Sequence, residues 1–172
     1  MKARSLIVAA ILFALGVAVG FAAKGIDPTL YRNQPKDVAA KQLLDVAKRQ
    51  AGKGSWERIA VGRVYYLGGM KTEGQAMFDS VTAKKAESSD WFRIGRVYAE
   101  AKDWDKAKAA FERAMSNDPS EKDLAEVGAY YLMNGDRETA EQYFDRSFKK
   151  ESNEVWATVA MASGYLNVPP QQ

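Results

Sequence analysis

The sequence predicts an all-α fold: a right-handed solenoid of about three stacked helical hairpins, with an extra helix at each end and a hydrophobic helix before it. Three observations carry this. Sliding the chain by 33 residues lays Val61-Gly62-Arg63-Val64-Tyr65-Tyr66 on Ile94-Gly95-Arg96-Val97-Tyr98-Ala99, and both on Val127-Gly128-Ala129-Tyr130-Tyr131-Leu132. A second set keeps the same register, with columns Gly74, Ala107, Ala140; Phe78, Phe111, Phe144; and Val81, Ala114, Ser147. Between the two sets of each copy stand turn-forming segments, Gly68-Gly69, Lys102-Asp103-Trp104 and Asn134-Gly135-Asp136. In-register internal repeats of this length are the mark of a solenoid.

Taken from the N-terminus, the first element is apolar. Ser5 to Ala23 carries no charge and follows Lys2 and Arg4. As a secretory signal it has a basic start, an apolar centre at Leu6 to Leu15 and a small-residue cleavage site at Gly20-Phe21-Ala22. As an anchor it meets the roughly 17–25 apolar residues that span a bilayer, and Gly16 and Gly20 form a G-x-x-x-G pair that lets helices approach in lipid. Residues 1–23 are therefore a signal peptide or a transmembrane anchor. Both readings leave the basic end in the cytoplasm and the remainder outside it. Residues 24–35, with Gly25, Pro28, Asn33 and Pro35, read as a linker.

Residues 36–51 read as an amphipathic helix in which Ala40, Leu44 and Ala47 imitate the second half of a copy. The three copies span about 55–87, 88–120 and 121–152. In each, a glycine and a tyrosine three apart share one helix face (Gly62 and Tyr65, Gly95 and Tyr98, Gly128 and Tyr131). In the second helix a small residue and a phenylalanine four apart do the same. The small residues let paired helices approach, and the aromatic ones fill the space between hairpins. Residues 153–166, carrying Val155, Trp156, Val159 and Tyr165, form the second capping helix that a solenoid end requires. The tail, 167–172, contains Pro169-Pro170, cannot continue a helix, and is expected to fray.

These residues resemble the tetratricopeptide repeat. Its pattern is a large residue, then leucine-glycine, tyrosine, alanine, phenylalanine, alanine and a closing proline. The middle copy follows it with Trp91, Ile94-Gly95, Tyr98, Ala107, Phe111, Ala114 and Pro119. The third has Leu124, Val127-Gly128, Tyr131, Ala140, Phe144 and Ser147, with Ser152 for the proline. The first departs most: Arg58 takes the large-residue place and Gly74 the alanine, so its second helix is expected to pack more loosely. The resemblance implies a concave surface lined by the first helices, and a partner-binding groove there holding Ile59, Arg63, Tyr66, Phe92, Arg96, Glu100, Ala129, Leu132 and Met133. Arg63 and Arg96 stand one repeat apart, and arginine beside aromatic residues is the composition of interface hot spots.

Composition narrows the chemistry. The 172 residues include no cysteine and no histidine, which removes thiolate and imidazole nucleophiles, metal ligands and acid–base groups. The formal charge of +3 includes Lys2 and Arg4 in the terminal segment, so the remainder is close to neutral and gives no support to nucleic-acid binding. No phosphate-cradling glycine loop and no calcium loop is present. The reading is a non-catalytic scaffold that takes protein or peptide partners, without cofactor, metal or nucleic acid. It is placed at a bacterial inner membrane through residues 5–23 with its C-terminal domain in the periplasm, or free in the periplasm if the signal is cleaved. As an adaptor it would assist assembly or secretion of envelope proteins; the alternative is an accessory subunit of an inner-membrane complex.

Overall fold

A computed structural model describes residues 26–83 and 85–170. The hydrophobic N-terminal helix, and with it Gly16 and Gly20, lies outside the described residues. Among the described residues there are eight α-helices and no strand, and none of these helices is long and apolar enough to cross a membrane. The chain divides into two compact units, Met1–Gly54 and Ser55–Gln172.

In the first unit a short 3₁₀ turn, Pro28–Leu30, precedes helix α1, Lys36–Ala51. Asp27 nucleates the turn. Its carboxylate accepts from the Thr29 N–H at 2.9 Å and the Thr29 hydroxyl at 2.8 Å, bonds that hold its pKa below the ordinary value. Pro35 sets the extended entry to α1, and Gly52 leaves it at φ 51°.

The second unit holds three hairpins and a last helix. They are α2 (Ser55–Leu67) with α3 (Lys71–Thr82), α4 (Ser88–Glu100) with α5 (Trp104–Ala114), α6 (Glu121–Met133) with α7 (Arg137–Lys150), and α8 (Val155–Tyr165). The three hairpin turns share one geometry. Each is closed by a backbone bond back to the repeated tyrosine: Met70 N–H to Tyr65, Asp103 to Tyr98 and Asp136 to Tyr131, at 2.9–3.0 Å. The residue before each closing donor is left-handed: Gly69 at φ 88°, Lys102 at 60° and Gly135 at 85°.

Inside each hairpin the glycine of the first helix lies against the phenylalanine of the second. A Cβ on Gly62, Gly95 or Gly128 would stand 2.6–2.7 Å from the ring of Phe78, Phe111 or Phe144. Gly74 does not loosen the first hairpin; it tightens it. A Cβ there would meet the Tyr66 backbone nitrogen at 2.7 Å and the Gly62 carbonyl at 2.8 Å, so helix α3 lies closer to α2 than an alanine permits. Arg58, in place of a large apolar residue, spans the same pair and donates to the Ser80 carbonyl and hydroxyl. Ser147 is fully buried, its hydroxyl satisfied by the Glu121 carbonyl at 2.7 Å.

Between hairpins the core is aromatic. Tyr66, Phe78 and Tyr98 meet at centroid distances of 5.4–5.7 Å. Phe111 stacks on Tyr130 at 5.2 Å, and Trp104 meets Tyr131 edge-on at 5.0 Å. The helix axes do not step evenly. Backbones of α2 and α4 approach, as do α6 and α8, whereas α4 and α6 stand apart and are joined by long side chains.

Helix α8 packs with its small residues inward. Ala157, Ala160 and Gly164 face Ala125 and Ala129 of α6, where a Cβ on Gly164 would lie 2.8 Å from the Ala129 Cα. The larger Val155, Trp156, Val159 and Tyr165 are more than half exposed. Packed by α7 and α8 as well as by the second hairpin, α6 is buried continuously from Leu124 to Tyr131. The tail expected to fray has its Val168 N–H on the Ser163 carbonyl at 2.9 Å, and Pro170 is buried.

Candidate partner-binding surface

The first helices α2, α4 and α6 supply the side chains expected in a groove, and several of these face the core instead. Ile59, Tyr66 and Phe92 are only 3%, 2% and 6% exposed. All three belong to the buried cluster, Tyr66 against Tyr98 of the next hairpin and Phe92 against Phe111 of its own, so the aromatic character that marks hot spots here marks packing. Ala129 is sealed beneath α8 by Gly164. Leu132 packs half-buried against the core and Met133 is half-buried.

The two stacked arginines have partners within the chain. Arg63 grips Glu100 with both prongs, Nε at 2.9 Å and Nη2 at 2.5 Å, so two residues expected to await a ligand satisfy one another across α2 and α4. Arg96 donates to Glu126 of α6 and lies over the Phe92 ring at 4.4 Å. Glu126 is 2% exposed, and Lys122 approaches its second oxygen at 3.5 Å. That buried ion group spans the wide joint between α4 and α6. Removing a charge from water in this way is favourable only when the partners are held in good geometry.

The repeat-core residues form the remainder of this frame. Gly62, Gly95 and Gly128 abut Phe78, Phe111 and Phe144. Tyr65, Tyr98, Ala107, Ala114, Tyr131 and Ala140 are buried, and Trp91 is half-buried beneath the Arg113 guanidinium. A polar network ties the first two hairpins at their turn end. The Tyr66 hydroxyl donates to Asp103 at 2.6 Å, Lys71 reaches the same carboxylate at 2.9 Å, and Lys106 donates to Tyr66 and to Gln75. Burial and the Asp103 contact push the Tyr66 phenol well above its ordinary pKa. The bonds from Tyr66 and Lys71 hold Asp103 below the usual carboxylate range.

The concavity lies elsewhere, at the wide α4–α6 joint. A cleft of about 390 Å³ is lined by Trp56, Ser88, Ser89, Phe92, Arg93 and Arg96, by the turn from Ala114 to Ser120, and by Lys122 and Asp123. Helix starts frame it. Asp90 accepts from the Glu87 N–H at 3.1 Å to open α4, and Ser120 accepts from the Asp123 N–H at 3.1 Å to open α6. Arg93 lies flat on the exposed Trp56, 3.5 Å from its ring centroid. Burial, and then the neighbouring charge of Arg96, pull the Arg93 pKa below its usual value. Neither Trp56 nor Arg93 belongs to a repeat column. The available signal was positional: Ser89, Arg93 and Arg96 fall at helical spacing on one face of α4. A second cleft, of about 400 Å³, lies between α5 and α7 and includes Lys108, Glu112, Gln142 and Arg146. Among the described residues no group of three or more acids is placed to hold a metal ion.

No curated protein and no solved structure matches the chain. The family model of the tetratricopeptide repeat matches residues 88–121, which are α4, the turn, α5 and the first residue of α6. The middle hairpin is thus similar to the tetratricopeptide repeat over its whole length, and the hairpins on either side repeat its glycine–phenylalanine contact.

Proposed function

We propose that the chain is a non-catalytic protein-interaction scaffold, an adaptor whose open face carries the cleft between α4 and the first turn of α6. The observation that supports this best is the cleft itself. It is a concavity between successive first helices, and its wall includes Arg96, which the buried Glu126 holds in place. Rigid walls lower the ordering cost of binding. The uncharged run from Ser5 to Ala23 after Lys2 and Arg4 supports a tether to an inner membrane, or export across it, with the hairpins facing the periplasm.

Photocrosslinking in cells tests the surface. A probe replacing Ser89, in the cleft, is expected to capture a discrete protein adduct, and the same probe replacing Gln142, on the α5–α7 side, is not. Adducts in equal yield from both positions, or from neither, would sink the assignment. Mass spectrometry of the cellular protein distinguishes a retained anchor, starting at Met1, from a cleaved signal with a start at Ala23.

A further inference from the structure

We propose that the outer side of α8 is a self-association surface, on which α8 of a second copy of this chain packs antiparallel about a two-fold axis. The surface is separate from the α4–α6 cleft, which no residue of α8 lines, and the inference goes beyond the scaffold reading.

A helix that closes a solenoid ordinarily turns a polar side to water. Helix α8 does not. No residue from Val155 to Val168 is charged, whereas α2, α4 and α6 each carry three or more charges. Its small residues, Ala157, Ala160 and Gly164, lie against α6. The side left open presents Val155, Trp156, Val159, Tyr165 and Leu166, all more than half exposed.

The spacing on that side fits another helix. Val155, Val159, Ala162 and Leu166 are all exposed and follow one another at intervals of 4, 3 and 4 residues, the alternation of a heptad seam. Trp156 and Tyr165 flank the seam on opposite sides. Antiparallel pairing about an axis between Val159 and Ala162 sets Val159 of one copy against Ala162 of the other, and Val155 against Leu166. Large residues then meet smaller ones at every level. A parallel pair would set Ala162 on Ala162 and leave a gap. The antiparallel contact uses the same patch on both copies and closes at two.

The area is sufficient. With Val168, the open side of α8 presents roughly 650 Å² of apolar side chain on each copy, so two copies bury up to roughly 1,300 Å², inside the range of about 1,200–2,000 Å² of specific interfaces. A bilayer is the poorer fit, because a helix lying in a membrane surface carries lysine or arginine on its other side, and the other side of α8 is alanine and glycine packed on α6.

Sedimentation velocity of the full chain in detergent is expected to show a monomer–dimer equilibrium with a Kd of about 1 µM or tighter. Val159→Glu and Ala162→Lys, both at exposed positions, are each expected to raise that Kd at least about a hundredfold with helicity unchanged. An equimolar mixture of the two variants should dimerise again, because antiparallel pairing sets the new charges against one another. The chain has no cysteine, so a single introduced one reports its own position. In cells carrying two differently tagged copies, Ala162→Cys with a short bismaleimide is expected to give an adduct bearing both tags, and Thr72→Cys on α3 is not. A chain that stays monomeric at every concentration overturns the proposal, as does the absence of a two-tag adduct. A dimer that Val159→Glu leaves intact also overturns it, by placing self-association elsewhere, and a mixture that stays monomeric overturns the antiparallel pairing. Ser89 crosslinks read the cleft separately, so the scaffold reading stands or falls on its own.

Discussion

Gly95→Ala tests the packing of the middle hairpin most directly. The added methyl would lie 2.7 Å from both Cδ1 and Cε1 of Phe111, closer than real Cβ contacts come. Phe111 has little room to retreat. It is fully buried, with Phe92 at 5.8 Å, Tyr130 stacked at 5.2 Å and Trp104 at 6.5 Å. Overpacking of this kind costs about 1–3 kcal/mol, and alanine's better helix propensity returns about 1 kcal/mol. The expected net loss is about 1 kcal/mol, or a fall in Tm of about 4 °C for a unit of this size, measured by urea and thermal unfolding followed by circular dichroism. The same change in a Phe111→Leu background should recover most of the loss, giving a coupling of at least about 0.5 kcal/mol. Gly74→Ala should be worse than Gly95→Ala, because its obstacles are backbone atoms. A rise in Tm for Gly95→Ala, with no coupling to position 111, would refute the clash and the helix register built on it.

Arg96→Ala leaves Glu126 buried without its main partner and should cost about 3–5 kcal/mol by denaturant unfolding; Arg96→Met with Glu126→Leu should regain most of it, and a single variant as stable as the parent contradicts the buried-pair reading. Lys102 occupies a left-handed turn position that glycine fills in the other two hairpins, so Lys102→Gly should raise stability by about 0.5–1 kcal/mol, and a loss would show that the turn is unstrained. Burial pushes the Tyr130 phenol up to about 12, against about 10 in the unfolded chain; its contribution to stability is complete below pH 10 and is lost as pH rises through 12. Phenolate absorbance at 295 nm, as the difference between the parent and Tyr130→Phe, should show that midpoint, and a midpoint near 10 contradicts the burial. Gly164→Val drives a side chain into the Ala129 backbone and should release α8, read as faster amide exchange from 155 to 165; exchange unchanged there would mean α8 is held by something other than its small face.

The repeat was legible because it is written in spacing. Glycine and phenylalanine recur at fixed offsets, and the helices they mark meet at those residues. Spacing says less about which way a large apolar residue faces when two flanking surfaces compete for it. Phe92 and Tyr66 sit just beside the repeat columns and go to the core, Tyr66 against Tyr98 of the next hairpin and Phe92 against Phe111 of its own. Trp156 and Val159 look like core residues in α8 and point outward because Ala157, Ala160 and Gly164 permit the closer approach. Arg63 and Arg96 show the same limit for charge: their partners, Glu100 and Glu126, lie 37 and 30 residues away, and neither offset equals the repeat period. Gly74 meets the same limit, because a missing side chain signals looseness or intimacy equally well until its neighbour is known.

The continuous burial of α6 has a consequence for how sequence information is distributed along the chain. Most helices here alternate covered and open positions, so a saturating substitution scan would show tolerance returning every third or fourth residue. Along Leu124 to Tyr131 there is no open position to return to. That segment should register as an unbroken block of intolerance. In such a scan the third hairpin would look most like a conserved functional motif, although its constraint comes entirely from being enclosed on every side.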